Sequence, residues 1–284
     1  MNLTRDKKIL IVGLGLIGGS YAMGLSKKGY EVGAITLNQE DIDYAINNKI
    51  IAHGQVNVTK EYVSKFDIII FALYPNKLIE WITAYNTYFK ENAVITDVTG
   101  VKTSIVYQIQ ELLKSNEFIG AHPMAGKEVY GVINSDNNIF KKANYIITPT
   151  NFNTKSSIDV ACEIAKELEF ENISILSPEE HDEMIAFLSQ LTHCIAISLM
   201  TCKESTHLKE YTGDSFRDLT RIAKINENMW TELFMLNKKE LLSQMELFEK
   251  QFKQLKVALE NDDEETMKEM MRLSTFRRSF FDKD

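Results

Sequence analysis

The stretch Ile9-Leu10-Ile11-Val12-Gly13-Leu14-Gly15-Leu16-Ile17-Gly18-Gly19-Ser20 decides the fold. Four apolar residues in a row, without alternation, are what a strand buried on both faces requires, as in a parallel sheet covered by helices. A G-x-G-x-x-G turn follows directly and opens a helix-like segment running to about Lys28. Gly13 permits the tight turn, Gly15 lets backbone approach a pyrophosphate, and Gly18 allows helix and strand to pack closely. The helix start, at Leu16 and Ile17, offers unpaired N–H groups and positive potential to an anion. This spacing predicts dinucleotide binding at Gly13, Gly15, Leu16, Ile17 and Gly18.

Working outward, the first half alternates short apolar runs with helix-like segments. Expected strands are Glu31–Ile35, Asp67–Leu73, Ala93–Thr96, Phe118–Ala121, Tyr145–Thr148 and Ile173–Leu176, with helices between them. Strand and helix repeated at this spacing predict an α/β, doubly wound parallel sheet of Rossmann type with helices on both faces. After Ser177-Pro178 there is no further proline and one glycine, Gly213, while apolar residues recur at helical spacing. The expected division is a dinucleotide-binding domain over residues 1–172 and an all-α domain over 173–284. The segment Trp230–Leu259 carries more apolar residues than one stripe of a helix can bury in its own domain, which points to a homodimer.

Composition excludes whole classes. With 32 Lys and Arg against 40 Asp and Glu, the net charge is −8, the wrong sign for a generic nucleic-acid binder. Apolar runs such as Ile68–Tyr74 fall far short of the ~20 residues of a membrane helix. Cys162, Cys194 and Cys202 form no paired pattern, so they read as small core residues in a reducing, cytoplasmic setting. No metal-ligand spacing is present.

Two segments lie beyond strand ends, where ligands bind in open α/β sheets. Ala93–Thr96 runs into Asp97-Val98-Thr99-Gly100-Val101-Lys102, and Phe118–Ala121 into His122-Pro123-Met124-Ala125-Gly126. A histidine just past a buried strand is placed to act as acid or base near neutral pH. Asp97 fits either a ligand contact or a helix N-cap. An acidic residue that would bind the adenosine ribose is expected at the end of the second strand, where Thr36 stands. No Lys or Arg occurs between Glu31 and Asn48 either. NAD is the expected cofactor, with NADP left open.

These motifs, in this order, resemble those of the prephenate dehydrogenase family, which includes arogenate dehydrogenases. The similarity rests on Gly13–Ser20, Asp97–Lys102, His122–Gly126, Phe140–Pro149, Ser177-Pro178-Glu179-Glu180-His181-Asp182, Ser189–His193 and Gly213–Arg221, and runs almost end to end. The resemblance implies His122 as the catalytic residue and Arg221 as the cation for a substrate carboxylate, with Arg217 its rival. It also implies cofactor contact at Thr36 and Asp97, and substrate contact at His193, His181, Thr99 and Gly100. The implied reaction is NAD(P)-dependent oxidative decarboxylation of prephenate, or of arogenate, in tyrosine biosynthesis. The chain departs from the family pattern at Gly100, where a serine is usual, at Lys127, and at Gln190, where a histidine is usual. Thr99 or Thr103 is the expected source of the missing hydroxyl. Two other readings share the fold: a β-hydroxyacid dehydrogenase or imine reductase, and a dinucleotide-sensing regulator.

Overall fold

Alternation within each strand sends side chains to opposite faces of the sheet, and each face has its own core. The computed structural model describes residues 2–127, 129–204 and 206–282. Its first half runs β1 (Lys8–Val12), α1 (Leu16–Lys27), β2 (Glu31–Ile35), α2 (Gln39–Asn47), β3 (His53–Gln55), α3 (Lys60–Val63), β4 (Ile68–Phe71), α4 (Pro75–Tyr85), β5 (Val94–Asp97), α5 (Thr103–Leu112), β6 (Glu117–Pro123), β7 (Asn144–Thr148), α6 (Lys155–Glu167) and β8 (Asn172–Ile175). Ile9 and Ile11 pack with Ile68 and Ile70 under α1, α2 and α6. Leu10, Val12, Ile69 and Phe71 face the other way, toward α4 and α5. The apolar runs are therefore buried twice over, as read from β1.

The sheet order is β3-β2-β1-β4-β5-β6-β7-β8. Chain direction through the sheet reverses between β1 and β4, which makes the ends of these two strands the place for a ligand. Pairing is parallel from β3 to β6 and between β7 and β8, whereas β6 and β7 are antiparallel, with His122 opposite Ile146. The expectation of a parallel sheet throughout fails at this pair. Among the described residues between Pro123 and Asn144 the helical elements are two 3-10 turns, Val132–Asn134 and Asn137–Phe140. Without a crossover helix it reverses and pairs directly. The expected boundary at Asn172 falls on the first residue of β8, so residues 172–175 complete the sheet.

The helical half contains α7 (Pro178–Ile185), a π-helical turn (Ala186–Leu191), α8 (Thr192–Thr201), α9 (Asp214–Thr220), α10 (Glu227–Leu236), α11 (Lys238–Glu260) and α12 (Glu264–Arg278). Ser177 and Glu180 form a reciprocal capping box with Pro178 in the first turn, a start signal written in the sequence itself. Pro178–Thr201 is a continuous rod whose most apolar 18-residue stretch has a mean hydropathy of 1.5, by length and composition enough to cross a membrane. In the sequence, Gln190 and His193 interrupt that stretch and conceal it. His181 and Asp182, near its start, dock the rod against the sheet half. Of the cysteines expected in the core, Cys162 is half-buried against it, Cys194 is half-buried and Cys202 is exposed.

Candidate active site

A cavity of 650 Å3 opens where β1, β4, β5 and β6 end, and the helical half closes its far side. On the sheet side its shape comes from backbone. Gly13 adopts φ +99°, and a β-carbon there would lie 2.5 Å from the Ala72 carbonyl oxygen. The Gly13 N–H donates to the Ile35 carbonyl at 2.8 Å, tying the turn to the end of β2. At Gly18 a β-carbon would sit 1.9 Å from the Gly13 carbonyl. Gly15, the N-cap of α1, has nothing within 4 Å on its side-chain position, and no side chain caps the helix. The first N–H groups of α1, at Leu16 and Ile17 on the cavity wall, are thus open to an anion. This cradle fits a dinucleotide pyrophosphate. Thr36 follows β2 directly and is half-buried, off the cavity wall.

Asp97 does not reach the cavity. It is fully buried, 2.6 Å from the Lys102 ammonium, and accepts from the Thr99 and Ala121 N–H groups at 2.9 and 3.1 Å. Neither a cofactor contact nor an N-cap describes it; α5 begins only at Thr103. Asp97 instead fixes the loop between β5 and α5 from beneath. Burial pulls the Lys102 ammonium below its usual range despite the opposing Asp97 charge. The Thr99 hydroxyl turns inward to Asp97, and Thr103 lies off the wall with its N–H on Asp182 at 2.8 Å. Neither replaces the missing serine hydroxyl. Gly100 does face the cavity: a β-carbon there would lie 3.8 Å from His122 Nε2 and 3.6 Å from Leu233.

His122, in β6, lines the cavity. Its Nδ1 lies 2.9 Å from Nε2 of His181, whose Nδ1 lies 2.8 Å from Oδ1 of Asp182. His181 is wholly buried behind His122 rather than facing the cleft. Asp182 also accepts from the Lys102 N–H at 2.8 Å. Burial, together with His181 and Lys102, holds the His122 imidazole well below its usual range. Burial likewise lowers His181, against the pull of Asp182. Burial pushes Asp182 up, but hydrogen bonds from His181 and Thr103 outweigh it and keep its carboxyl low. The ring pair is neutral at pH 7 and able to accept a proton.

The opposite wall is made of side chains. The π-turn widens the helix at Ser189 and Gln190 and brings both to the cavity, a use for which such turns are known. Gln190 is buried, donating to the Leu233 carbonyl at 3.2 Å and accepting from Asn237 at 2.9 Å. His193 lies against Trp230 with ring centroids 3.7 Å apart, and its Nδ1 donates to the Ser189 carbonyl at 2.9 Å. Arg221 opens the short turn Arg221–Ala223 and is exposed, off the wall. Arg217 pairs with Asp214 at 2.6 Å on the surface. The cations on the wall are Lys127, which pairs with Asp136 at 3.1 Å, and Lys224; among the described residues no Asp or Glu lines the wall. The sequence marks Lys127 only as a departure from the family pattern and Trp230 only as the start of an apolar segment, and no spacing rule links Lys224 to the motifs. Among the described residues no cluster of three His, Cys, Asp or Glu is placed to hold a metal.

Comparison with known proteins agrees with this geometry. Two family profiles, the nucleotide-binding domain and the dimerization domain of prephenate dehydrogenase, match residues 21–174 and 177–273. The chain belongs to the prephenate dehydrogenase family. Prephenate dehydrogenase of Lactococcus lactis is 31% identical over 269 residues, covering 92% of this chain and 73% of that protein. The crystal structure of Aquifex aeolicus prephenate dehydrogenase with hydroxyphenyl propionate and NAD+ superposes with a TM-score of 0.90 at 29% identity, covering 99% of this chain and 100% of that one. Synechocystis arogenate dehydrogenase shares the fold, with a TM-score of 0.84 at 22% identity and coverage of 97% and 100%. Family membership sets aside the β-hydroxyacid dehydrogenase reading. The first profile ends inside β8 and the second begins one residue before α7.

Proposed function

We propose that the chain catalyses the NAD-dependent oxidative decarboxylation of prephenate to 4-hydroxyphenylpyruvate, a step of tyrosine biosynthesis, with His122 as the base. The observation that carries this reading is a neutral imidazole on the cavity wall beyond the glycine cradle, with two lysines and no described carboxylate among the lining residues. Prephenate is a dianion with a ring carboxylate, a pyruvyl side chain and a 4-hydroxyl. Lys127 and Lys224 suit its two carboxylates, and Arg221 stands one residue outside the wall. Among the described residues that line the wall none is an acid for the ammonium of arogenate, and Asp136 is already paired with Lys127. That difference favours prephenate.

When bound, the nicotinamide supplies the hydride acceptor for C4 of the substrate. Gly13, Gly15 and Gly18 shape its pyrophosphate cradle, and Leu16 and Ile17 offer the first N–H groups of α1. Glu40 and Asp41, in the first turn of α2, would repel a 2′-phosphate, which favours NAD. His122 accepts the hydrogen of the 4-hydroxyl as C4 is oxidised; the ring then loses CO₂ and becomes aromatic. His193, Gln190 and Trp230 cover the substrate from the helical side and exclude water. The apolar faces of the helical half, in a chain whose second profile is a dimerization domain, support a homodimer. The unpaired cysteines fit the cytoplasm.

The test is the absorbance of reduced nicotinamide on mixing the protein with prephenate, arogenate or simple hydroxyacids, each with NAD and with NADP. Turnover of prephenate with NAD is expected. Preference for arogenate would overturn the substrate reading. Lys127→Ala and Lys224→Ala should raise KM for prephenate more than Arg221→Ala does; the reverse order returns that role to Arg221.

A further inference from the structure

We propose that His181 and Asp182 are positioning residues that hold His122 in the tautomer with its hydrogen on Nδ1, leaving Nε2 as the acceptor toward the cavity. This rests on the reading of His122 as the base. A carboxylate only accepts, so the 2.8 Å contact between Asp182 Oδ1 and His181 Nδ1 puts a hydrogen on that nitrogen. A neutral His181 then has a lone pair at Nε2. The 2.9 Å contact from that atom to His122 Nδ1 therefore takes its hydrogen from His122. A neutral ring carries one hydrogen, so His122 Nε2 has none and can accept. This nitrogen is the one that lies toward Gly100 and the cavity.

The surroundings enforce the assignment. The groups facing the two rings are Asp182, Lys102 and, beyond it, Asp97. A second proton on either ring would place a cation beside the buried Lys102 ammonium. Asp182 cannot turn away, because its two oxygens accept the Lys102 and Thr103 N–H groups at the start of α5, both at 2.8 Å. Asn237 in turn donates to the Asp182 main-chain carbonyl at 2.8 Å. The tautomer of a side chain on β6 is thus fixed by α7, and α7 is anchored by the backbone of α5. Such outer partners commonly matter by about 10–100-fold where a histidine must hold one orientation, as at metal sites.

Nitrogen-15 NMR of ring-labelled histidine in the full-length protein reads the tautomer without reference to turnover. In the wild type, His122 Nε2 is expected to show the shift of an unprotonated ring nitrogen and Nδ1 that of a protonated one. His181→Leu removes the acceptor and should let His122 exchange between both forms, lowering kcat by about 10–100-fold with KM for NAD unchanged. His181→Gln restores an acceptor oxygen and should recover both the tautomer and most of the rate. A wild-type His122 with hydrogen on Nε2 would overturn the proposal, as would a folded His181→Leu variant with wild-type kcat. So would a His181→Leu variant that loses thermal stability with the tautomer unchanged. If His122→Asn keeps full activity, the base reading fails instead, and the NMR result still decides the tautomer.

Discussion

The two halves of the molecule bury their apolar residues in opposite ways. In the sheet half, β1, β2 and β4 leave almost no apolar side chain in solvent. In the helical half, α11 buries only Leu241 and Ala258 over 23 residues, and α12 buries none. Phe252, Leu259, Phe276 and Phe280 are more than 60% exposed in the single chain. The rod Pro178–Thr201 is only 28% buried over its apolar stretch. One half closes a core with its own sequence, whereas the other presents surface that a second copy would cover. The site lies on the seam between them and takes its glycine cradle and His122 from the first and the wall of Gln190, His193 and Trp230 from the second.

The contrast breaks most sharply at α11. Phe252 is 65% exposed and stacks only on Phe248, so Phe252→Glu costs an isolated chain little. In a dimer it should halve the mass seen by light scattering and remove about 1.5–3 kcal/mol per copy. An unchanged mass and Tm would make α11 a plain surface helix. In the sheet half, His122→Asn should lower kcat by about 10²–10⁴-fold while NAD affinity, measured by fluorescence titration, stays near wild type.

A smaller effect concerns pH. His122 and His181 both titrate below their ordinary value of 6.5. Below that pH the unfolded chain binds protons that the folded chain refuses, so stability declines as pH falls from there toward the folded values. Scanning calorimetry from about pH 7 to 5 should show this decline, weakened in His122→Asn. By the same lowering, the acid limb of kcat/KM should lie below 6.5. The smallest change is Gly100→Ser, whose β-carbon meets Leu233 and His122 at ordinary contact distances. It should fold normally and alter kcat by less than about tenfold.

What could be read in advance follows from range. Strand burial, the glycine turn and the histidine at the end of β6 are local, set by side-chain period and by φ at Gly13. The reversal of β7 was hidden because only the missing crossover helix distinguishes it. His181 and Asp182 stood in a recognisable motif, but which way they pointed depended on how α7 docks. The 80 residues between Asp182 and Lys102 carry no local signal of their hydrogen bond. Asp97 looked like a ligand because its position beyond a strand is where ligands bind; its pairing with Lys102 is invisible until α5 folds over it. The π-turn shares the apolar pattern of an ordinary helix and shifts Gln190 and His193 without any breaker residue.

The shared carboxylate of Asp182 has one more consequence. The same two oxygens cap α5 and orient the imidazole pair, so the halves cannot separate at this seam without loosening both. Should the cleft widen to admit or release ligand, the base would lose its preset hydrogen as it lost its cover. An enzyme so wired would be idle whenever it is open, and nicotinamide exchange would be insulated from stray proton chemistry by the architecture alone.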